Sequence, residues 1–292
     1  MGKKSPRVGL ISFGALEDKV PLILSPLVLS AGVTLTLYKN YVNPEAHGGG
    51  LLRAVHSVLQ KKELTGIVFD LRVSNWPDVH SLIRARNLSR SLQNICDNLK
   101  INSSVFVTNA HQPLGNAVGT PLELLEAAEV LKGNGPFDLT KFVLEVGTDL
   151  LLLTKKFKQK SKSKKFLKDN ILEGKSVVIP KYLSEDFPRT ISVREKMRIS
   201  SRQKGYVRHI SMKILFRIKS ELVSSLSGNG FTLLRKIGDR VEKEDHLVEV
   251  FPSKGQHMHP LELDILEAFF ISPNPPDFQP LILERSEIRM QS

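Results

Sequence analysis

The sequence contains a single cysteine, Cys96, among its 292 residues. One thiol excludes a disulfide within the chain, and it excludes zinc or iron–sulfur sites that need several cysteines. The chain is therefore compatible with a reducing compartment. The sequence also has no Walker loop, no Gly-x-Ser-x-Gly nucleophile elbow and no His-Glu-x-x-His zinc motif. The sequence therefore gives no sign of a phosphate-loop nucleotide-binding protein, a serine hydrolase of the nucleophile-elbow type or a zinc metallopeptidase.

Long apolar runs are also scarce. The 19-residue segment Val20–Tyr38 has no charged residue, but it contains two prolines and several hydroxyl side chains. A membrane-spanning helix needs about 20 predominantly apolar residues, so a buried helix followed by a strand is predicted here. The apolar stretch at the N-terminus ends at Glu17, before it reaches the length of a signal peptide. The expected location is cytoplasmic, and a mitochondrial location stays open.

Acidic residues are absent from the lysine run, Lys155–Lys168, whose eight lysines supply two thirds of the net charge of +12. Such a run is usually a solvated, mobile loop, and a loop of this kind is predicted. Basic runs also bind nucleic acid or anionic membrane surfaces. The candidate nucleic-acid residues are Lys155, Lys156, Lys158, Lys160, Lys162, Lys164 and Lys165.

The overall composition is that of an ordinary globular protein, with 41% hydrophobic and 25% charged residues. The length allows one large domain or two. Before the lysine run, apolar runs alternate with segments of helical periodicity, which predicts βαβ units and a parallel sheet. The predicted strands are Arg7–Phe13, Val33–Tyr38, Thr65–Val73 and Ser103–Thr108. The predicted helices are Asp18–Ala31, Leu51–Gln60, Val79–Leu99, Pro121–Lys132 and Leu139–Leu153.

The pattern changes after the lysine run. Gly205–Ile218 and Phe231–Val250 are predicted as short strands, and Asp264–Phe270 as a helix. The predicted fold class is therefore α/β, a parallel sheet flanked by helices, followed by a smaller β-rich (α+β) domain. The predicted boundaries are 1–155 for the α/β domain, 156–200 for a basic linker and helical connection, and 201–292 for the C-terminal domain.

The most specific pattern is the signature segment, Val107–Leu131, with the sequence VTNAHQPLGNAVGTPLELLEAAEVL. It follows a predicted strand and opens a predicted helix, and glycines in the turn allow a close approach of the backbone. The segment resembles the signature of the pyrimidine-nucleoside phosphorylases, the thymidine phosphorylase family. The resemblance rests on the blocks Gln112-Pro113-Leu114-Gly115, Val118-Gly119 and Leu122–Ala127, and the matching positions include Thr108, Gln112, Gly115, Gly119 and Glu123.

Other blocks extend the resemblance over most of the chain. Ile67–Val73 (IVFDLRV) is similar to the family's Val-Met-Asp-Val-Lys-Val strand. Asp18–Gly32 is similar to the helix that follows the family's phosphate loop. Gly205-Tyr206-Val207 and Lys236–Val241 fit the family's β-rich C-terminal domain. The resemblance therefore implies the two larger domains of such a phosphorylase.

The resemblance also implies an activity, the phosphorolysis of a pyrimidine nucleoside to free base and sugar 1-phosphate. Phosphate is then the co-substrate, and no other cofactor is expected. Catalysis of this kind needs donors that hold the phosphate and stabilise charge on the leaving base. The phosphate-binding positions implied by the resemblance are Ser12, Gly14, Lys19, Gly49 and Gly50. Glu123 falls where the family has a carboxylate at a structural cation site, but no metal is predicted.

The phosphate loop departs from the family pattern. The family's Lys-His-Ser-Thr-Gly-Gly falls on residues 10–15, where Leu10 replaces the phosphate-binding lysine and Ile11 the active-site histidine. Pro21 replaces a serine of the following helix. The family's His-Thr-Gly-Gly-Thr retains only His47 and its glycines. The chain then runs from Gly50 to Thr65 without the segment that holds the pyrimidine and helps to build the family's small α domain.

Three hypotheses follow from this sequence. The chain is an active phosphorylase with an altered cleft, or an inactive relative retained for binding or assembly, or a truncated product of a phosphorylase gene. The second hypothesis predicts a protein partner in place of the missing α domain, and the lysine run adds a nucleic-acid or ribonucleoprotein partner. No membrane partner is expected.

The histidines give weaker signals. His111 lies in a βα turn, where it could meet an anion. His257 and His259 are expected to point the same way in an extended strand, and His246 lies in the C-terminal hairpin. No third ligand at zinc spacing accompanies them.

Overall fold

A computed structural model describes residues 5–13, 19–38, 49–60, 63–74, 81–172, 196–222, 230–252 and 258–291. Alternating strands and helices form its first part, as the apolar periodicity predicts. The strands are β1 (Arg7–Phe13), β2 (Thr34–Tyr38), β3 (Gly66–Val73), β4 (Asn102–Asn109) and β5 (Ala117–Val118). The helices are α1 (Lys19–Leu29), α2 (Gly49–Gln60), α3 (Leu82–Asn98), α4 (Thr120–Leu131), α5 (Phe137–Leu153) and α6 (Lys160–Leu172).

Strands β1 to β4 form a parallel sheet in the order β4-β3-β1-β2. Every residue of the central strand β3 is buried, because helices cover both faces of the sheet. Helices α1, α4, α5 and α6 pack on one face with a core that includes Val8, Val68 and Phe106. Helices α2 and α3 pack on the other face with a core that includes Phe69 and Leu92. The predicted α/β part is confirmed.

The second part begins with β6 (Met197–Ser200), β7 (Gly205–Ile210) and helix α7 (Met212–Leu222). It continues with β8 (Gly230–Leu233), β9 (Arg240–Val241), β10 (His246–Phe251), α8 (Met258–Ala268) and β11 (Phe269–Ser272). One sheet has the order β5-β8-β10-β6 and another the order β11-β7-β9. Val241, Leu247 and Val250 are buried in the core of this part, as their spacing predicts.

Three predictions of secondary structure are wrong. The strand predicted over Gly205–Ile218 ends at Ile210, and α7 follows, because Leu215, Ile218 and Leu222 recur at helical spacing and bury one face. The helix predicted over Asp264–Phe270 runs from Met258 to Ala268, and Phe269 already belongs to β11.

The loop predicted for the lysine run is also wrong, since α6 begins at Lys160. From Lys160 onward the lysines of the run lie on this helix, whose other face is buried through Ser163, Leu167 and Ile171. These positions are spaced four residues apart and pack against the first core. Ser163 adds a hydrogen bond of 3.1 Å from Oγ to the Thr148 carbonyl.

The last strand, β12 (Ile282–Arg285), returns to the first sheet, while the predicted domain boundaries stay a prediction. It pairs antiparallel with β4 and becomes the fifth strand of the first sheet. Arg285 forms an ion pair with the buried Asp149 of α5, and Arg86 of α3 forms one with Glu284. The chain end is thus part of the α/β fold. Within the described ranges, no helix is long and apolar enough to cross a membrane.

Candidate functional site

The strand order of the first sheet indicates where a ligand site would lie. From β1 the chain moves to β2 on one side and then returns to β3 on the other side. Helix α1 covers one face after β1, and α3 covers the opposite face after β3. Open α/β sheets bind ligands in the crevice beyond the carboxyl ends of the strands at such a reversal. The candidate site is therefore the carboxyl edge of β1, β3 and β4.

Asp70 organises this edge. The Ser12 hydroxyl donates to Asp70 Oδ2 at 3.0 Å, and the Thr108 hydroxyl donates to Asp70 Oδ1 at 2.7 Å. Parallel pairing places Ser12 directly beside Asp70, and Asp70 is only 4% exposed. The structure thus brings together two of the predicted positions, one from the phosphate loop and one from the signature segment. The sequence analysis did not single out the carboxylate that links them.

The residues that replace the family's lysine and histidine face away from this edge. Leu10 packs in the core beneath α1, and Ile11 packs in the opposite core beneath α2 and α3. Gly14 lies outside the described residues, and Gly49 and Gly50 form the first turn of α2. A phosphate-binding role for these positions stays a prediction.

Lys19 is engaged within the protein. Its ammonium group is fully buried and donates to the Ala117 carbonyl and to Glu126 Oε2, both at 2.7 Å. The other oxygen of Glu126 accepts from the backbone amides of Asn116 and Ala117, at 2.8 and 3.0 Å. The lysine at the start of α1 therefore holds the turn of the signature segment against the first core.

The turn of the signature segment also contacts the second part of the chain. Gln112 Oε1 accepts a hydrogen bond of 2.7 Å from the Ile237 amide. The Lys236 ammonium donates to the carbonyls of Pro113 and Gly115, and it forms an ion pair of 3.1 Å with Asp138. Gly115 itself adopts a φ of +68°, a conformation that glycine favours. We call this set of contacts around Lys236 the clasp.

The end of the turn continues this connection. Strand β5 pairs antiparallel with β8 of the second part. Gly119 has a φ of +114°, and its amide donates to the buried Glu123 carboxylate at 3.0 Å. Lys219 of α7 forms an ion pair with the same carboxylate at 3.0 Å. Glu123 thus has an ammonium partner within the chain, and a cation role for it stays unsupported.

Most of the lysine run has partners within the protein. Lys160 and Lys164 form ion pairs with Glu145 of α5, and Lys165 forms one with Asp169. Burial alone would raise the pKa of Glu145, but the neighbouring ammonium groups of Lys164 and Lys160 outweigh it and lower that pKa below its ordinary value.

Lys155 and Lys156 donate to the backbone carbonyls of Gln291, Ala31 and Gly32. Of the seven named nucleic-acid candidates, all but the half-buried Lys164 are exposed. Nucleic-acid binding by the run stays a prediction.

The histidines with described positions do not assemble a metal site. His246 Nδ1 lies 2.9 Å from the Ser200 hydroxyl, and His259 lies in α8, so the strand predicted for it is wrong. His257 lies outside the described residues. Among the residues with described positions, no group of three His, Cys, Asp or Glu side chains could hold a metal ion.

The chain is similar in sequence to proteins named as pyrimidine-nucleoside or thymidine phosphorylases, the family that the signature segment resembles. It is 30% identical over 216 residues to a pyrimidine-nucleoside phosphorylase of Staphylococcus epidermidis, over 66% of this chain and 50% of that protein. It is 27% identical over 220 residues to a pyrimidine-nucleoside phosphorylase of Staphylococcus aureus, over 68% of this chain and 51% of that protein. A thymidine phosphorylase of Metamycoplasma hominis is 27% identical over 250 residues, which cover 79% of this chain and 86% of that protein.

The extent of these similarities differs between the relatives. The chain spans about half the length of the staphylococcal proteins it matches. No protein-family model matches the chain. The similarities confirm the resemblance drawn from the signature segment and its companion blocks.

Proposed function

We propose that the chain, which is similar to pyrimidine-nucleoside and thymidine phosphorylases over 66–79% of its length, is a phosphorylase-like binding or assembly protein that does not catalyse phosphorolysis. One observation carries the proposal. Leu10 and Ile11, at the positions of the family's loop lysine and histidine, are 6% and 4% exposed and belong to the two cores of the sheet.

The reaction needs groups that these positions do not supply. Phosphorolysis places a phosphate dianion against an anomeric carbon and leaves negative charge on the departing base. Preorganised donors aimed at such charges supply a large part of catalysis. An apolar side chain in a core donates no hydrogen bond, and it carries no charge toward the crevice. The loss of both groups therefore removes the parts that the reaction depends on most.

The polar groups near the edge already have partners. The hydroxyls of Ser12 and Thr108 donate to Asp70, and the Lys19 ammonium donates to Glu126 and Ala117. Recruiting any of them to phosphate would break a buried charged hydrogen bond, which costs about 1.5–3 kcal/mol. The arrangement favours a stable scaffold over an anion site.

A scaffold of this kind fits a role in binding. The proposed partner is a protein that covers the carboxyl edge of the first sheet, in place of the segment that the family inserts between Gly50 and Thr65.

A restoration experiment tests the proposal. The wild-type chain, Ile11→His and the double variant Leu10→Lys, Ile11→His are incubated with thymidine or uridine, with and without phosphate, and free base is measured by chromatography. Circular dichroism confirms that each variant is folded. We expect no phosphate-dependent base from the wild type, from Ile11→His or from the double variant, because positions 10 and 11 lie in the cores of the sheet and no variant restores the base-binding segment. Phosphate-dependent base from the wild type would overturn the proposal and would point to His47 or His111 as the substitute.

A second candidate function is supported by one similarity. The alignment with the Metamycoplasma hominis protein, which is named a thymidine phosphorylase, covers 86% of that protein. Under this second hypothesis, the chain is a pentosyltransferase whose substrates are a pyrimidine nucleoside and phosphate. The wild-type arm of the same assay separates the two candidates.

A further inference from the structure

A cleft of about 570 Å³ lies between the two parts of the chain beside the clasp, whose residues Gln112, Pro113 and Asp138 line it. One wall comes from the signature segment and the start of α5, and a second comes from β7 and the turn at Ile237 and Gly238. The third wall is the segment 275–281, which leads into β12. Clefts of 300–1,000 Å³ hold small-molecule ligands. Asn109 at the end of β4 lines this cleft, so it adjoins the carboxyl edge of the first sheet, but Ser12, Asp70 and Thr108 do not line it.

Two phenylalanines on different walls present their rings to solvent. Phe137, the first residue of α5, is 81% exposed, and Phe278 of the third wall is 90% exposed. Single exposed apolar side chains are common on protein surfaces, but two phenylalanines that line one cleft give it a concentration of exposed aromatic surface. A planar ligand gains affinity by stacking on an aromatic side chain. The two rings therefore favour an aromatic ligand.

The charges of the cleft favour an anion. Lys141 and Arg208 line it, and neither has an ion pair with another residue that the structure describes. The Asp138 carboxylate in the same wall is neutralised by Lys236 at 3.1 Å and by the Gly115 amide at 3.1 Å. Asp277 is then the remaining acid of the lining. A ligand with a negative group gains an attraction here that a neutral one lacks.

The positive charge and the stacking surface lie side by side. Lys141 Nζ lies over the Phe137 ring, 5.9 Å from its centre, so a ligand that stacks on the opposite face of the ring has this ammonium group close by. We propose that this cleft binds a ligand in which an aromatic ring is joined to an anionic group, at the size of a nucleoside monophosphate. Phe137 and Phe278 receive the ring, and Lys141 and Arg208 receive the anion. This proposal does not depend on whether the chain catalyses phosphorolysis.

Calorimetric titration of the purified full chain tests the proposal with defined probes. AMP and UMP combine a ring with a phosphate, adenosine has only the ring, and inorganic phosphate has only the charge. Benzoate tests a carboxylate as the source of the anion. We expect AMP or UMP to bind at least about tenfold more tightly than adenosine and inorganic phosphate, since each fragment loses one class of contact worth about 1.4 kcal/mol or more. Tighter binding of benzoate than of AMP would identify an aromatic carboxylate as the ligand.

Paired variants locate the binding. Phe278→Ala and Arg208→Gln remove exposed side chains of the cleft, and each is expected to weaken AMP binding by about fivefold or more. Phe270→Ala and Arg202→Gln alter exposed side chains of the same types outside the cleft and should leave the affinity unchanged. No binding of any ring-bearing anion at 1 mM would overturn the proposal. Equal affinity in Phe278→Ala, Arg208→Gln and the wild type would also overturn it, because the ligand would then sit elsewhere.

Discussion

The ammonium group of Lys19 lies 2.7 Å from the carboxylate of Glu126, and the Lys19 side chain is completely buried. The two residues are 107 positions apart, and they join the start of α1 to α4. Glu126 also accepts two backbone amides from the turn of the signature segment. A lysine at a position that suggests phosphate binding is therefore part of the framework of the fold.

Removing this ammonium is expected to destabilise the protein strongly. Lys19→Met leaves the Glu126 carboxylate without its charged partner in a buried site, which costs about 3–5 kcal/mol. Urea unfolding followed by circular dichroism measures the change. Lys132→Met is the matched control, because its ion pair with Glu129 is about half exposed and is worth less than about 1 kcal/mol. Equal losses in the two variants would contradict the framework role of Lys19.

The clasp is expected to couple the two parts of the chain. Lys236→Met removes the hydrogen bonds to Pro113 and Gly115 and the ion pair with Asp138. We expect a loss of about 2–4 kcal/mol and a calorimetric transition that broadens or splits as the parts unfold separately. Lys243→Met, at an exposed turn position, should change neither the stability nor the shape of the calorimetric transition. An unaltered single transition in Lys236→Met would show that other contacts hold the parts together.

The thiol of Cys96 is expected to be unreactive in the folded protein. Burial raises the pKa of Cys96 to about 12, and the thiolate is the reactive form. Near neutral pH, the folded chain should therefore resist alkylation by iodoacetamide, and it should react once denaturant unfolds it. Mass spectrometry of native and denatured samples measures the modified fraction. Rapid modification without denaturant would contradict the burial of α3 against the sheet.

The attachment of α6 is expected to weaken in acid. Lys164 and Lys160 hold the pKa of Glu145 below its ordinary value of 4.5. A carboxyl group whose folded pKa is lowered contributes stability above its unfolded pKa, and this contribution is lost as the pH falls through the folded value. Glu145→Gln should lower the melting temperature at pH 7, and the difference from wild type should shrink below pH 4.5.

Glu129→Gln is the control for the acid prediction. Lys132 lowers the pKa of Glu129 in the same direction, but this pair is largely open to water. The melting temperature of Glu129→Gln should therefore differ little from that of the wild type at any pH. A constant difference between Glu145→Gln and wild type from pH 7 to pH 3 would contradict an electrostatic attachment of α6.

Local patterns predicted the first half of the fold well. Strands β1, β3 and β4 and helices α3 and α5 follow from apolar periodicity, because burial on one or both faces leaves a regular trace in the sequence. Strand β12 left no such trace, since its four residues are only partly buried. Its place depends on pairing with β4, about 175 residues earlier in the chain.

The site was harder to predict than the fold. The signature segment predicted the similarity to pyrimidine-nucleoside phosphorylases, but its contacts with Lys236 and Ile237 join residues more than 120 positions apart. Asp70 looked like one more residue of a buried strand, and only the register of β1, β3 and β4 places it beside Ser12 and Thr108. Distant pairs of this kind leave no periodic signal in the sequence.

The most direct test of the proposed function is phosphate-dependent release of thymine from thymidine by the wild-type chain. The pyrimidine-nucleoside phosphorylase of Staphylococcus epidermidis, assayed at the same concentration, serves as the positive control. We predict that the chain releases no thymine above the rate seen without phosphate, because Leu10 and Ile11 supply neither the charge nor the donor that the reaction needs. Thymine and sugar 1-phosphate formed in equal amounts, only when phosphate is present, would contradict that account.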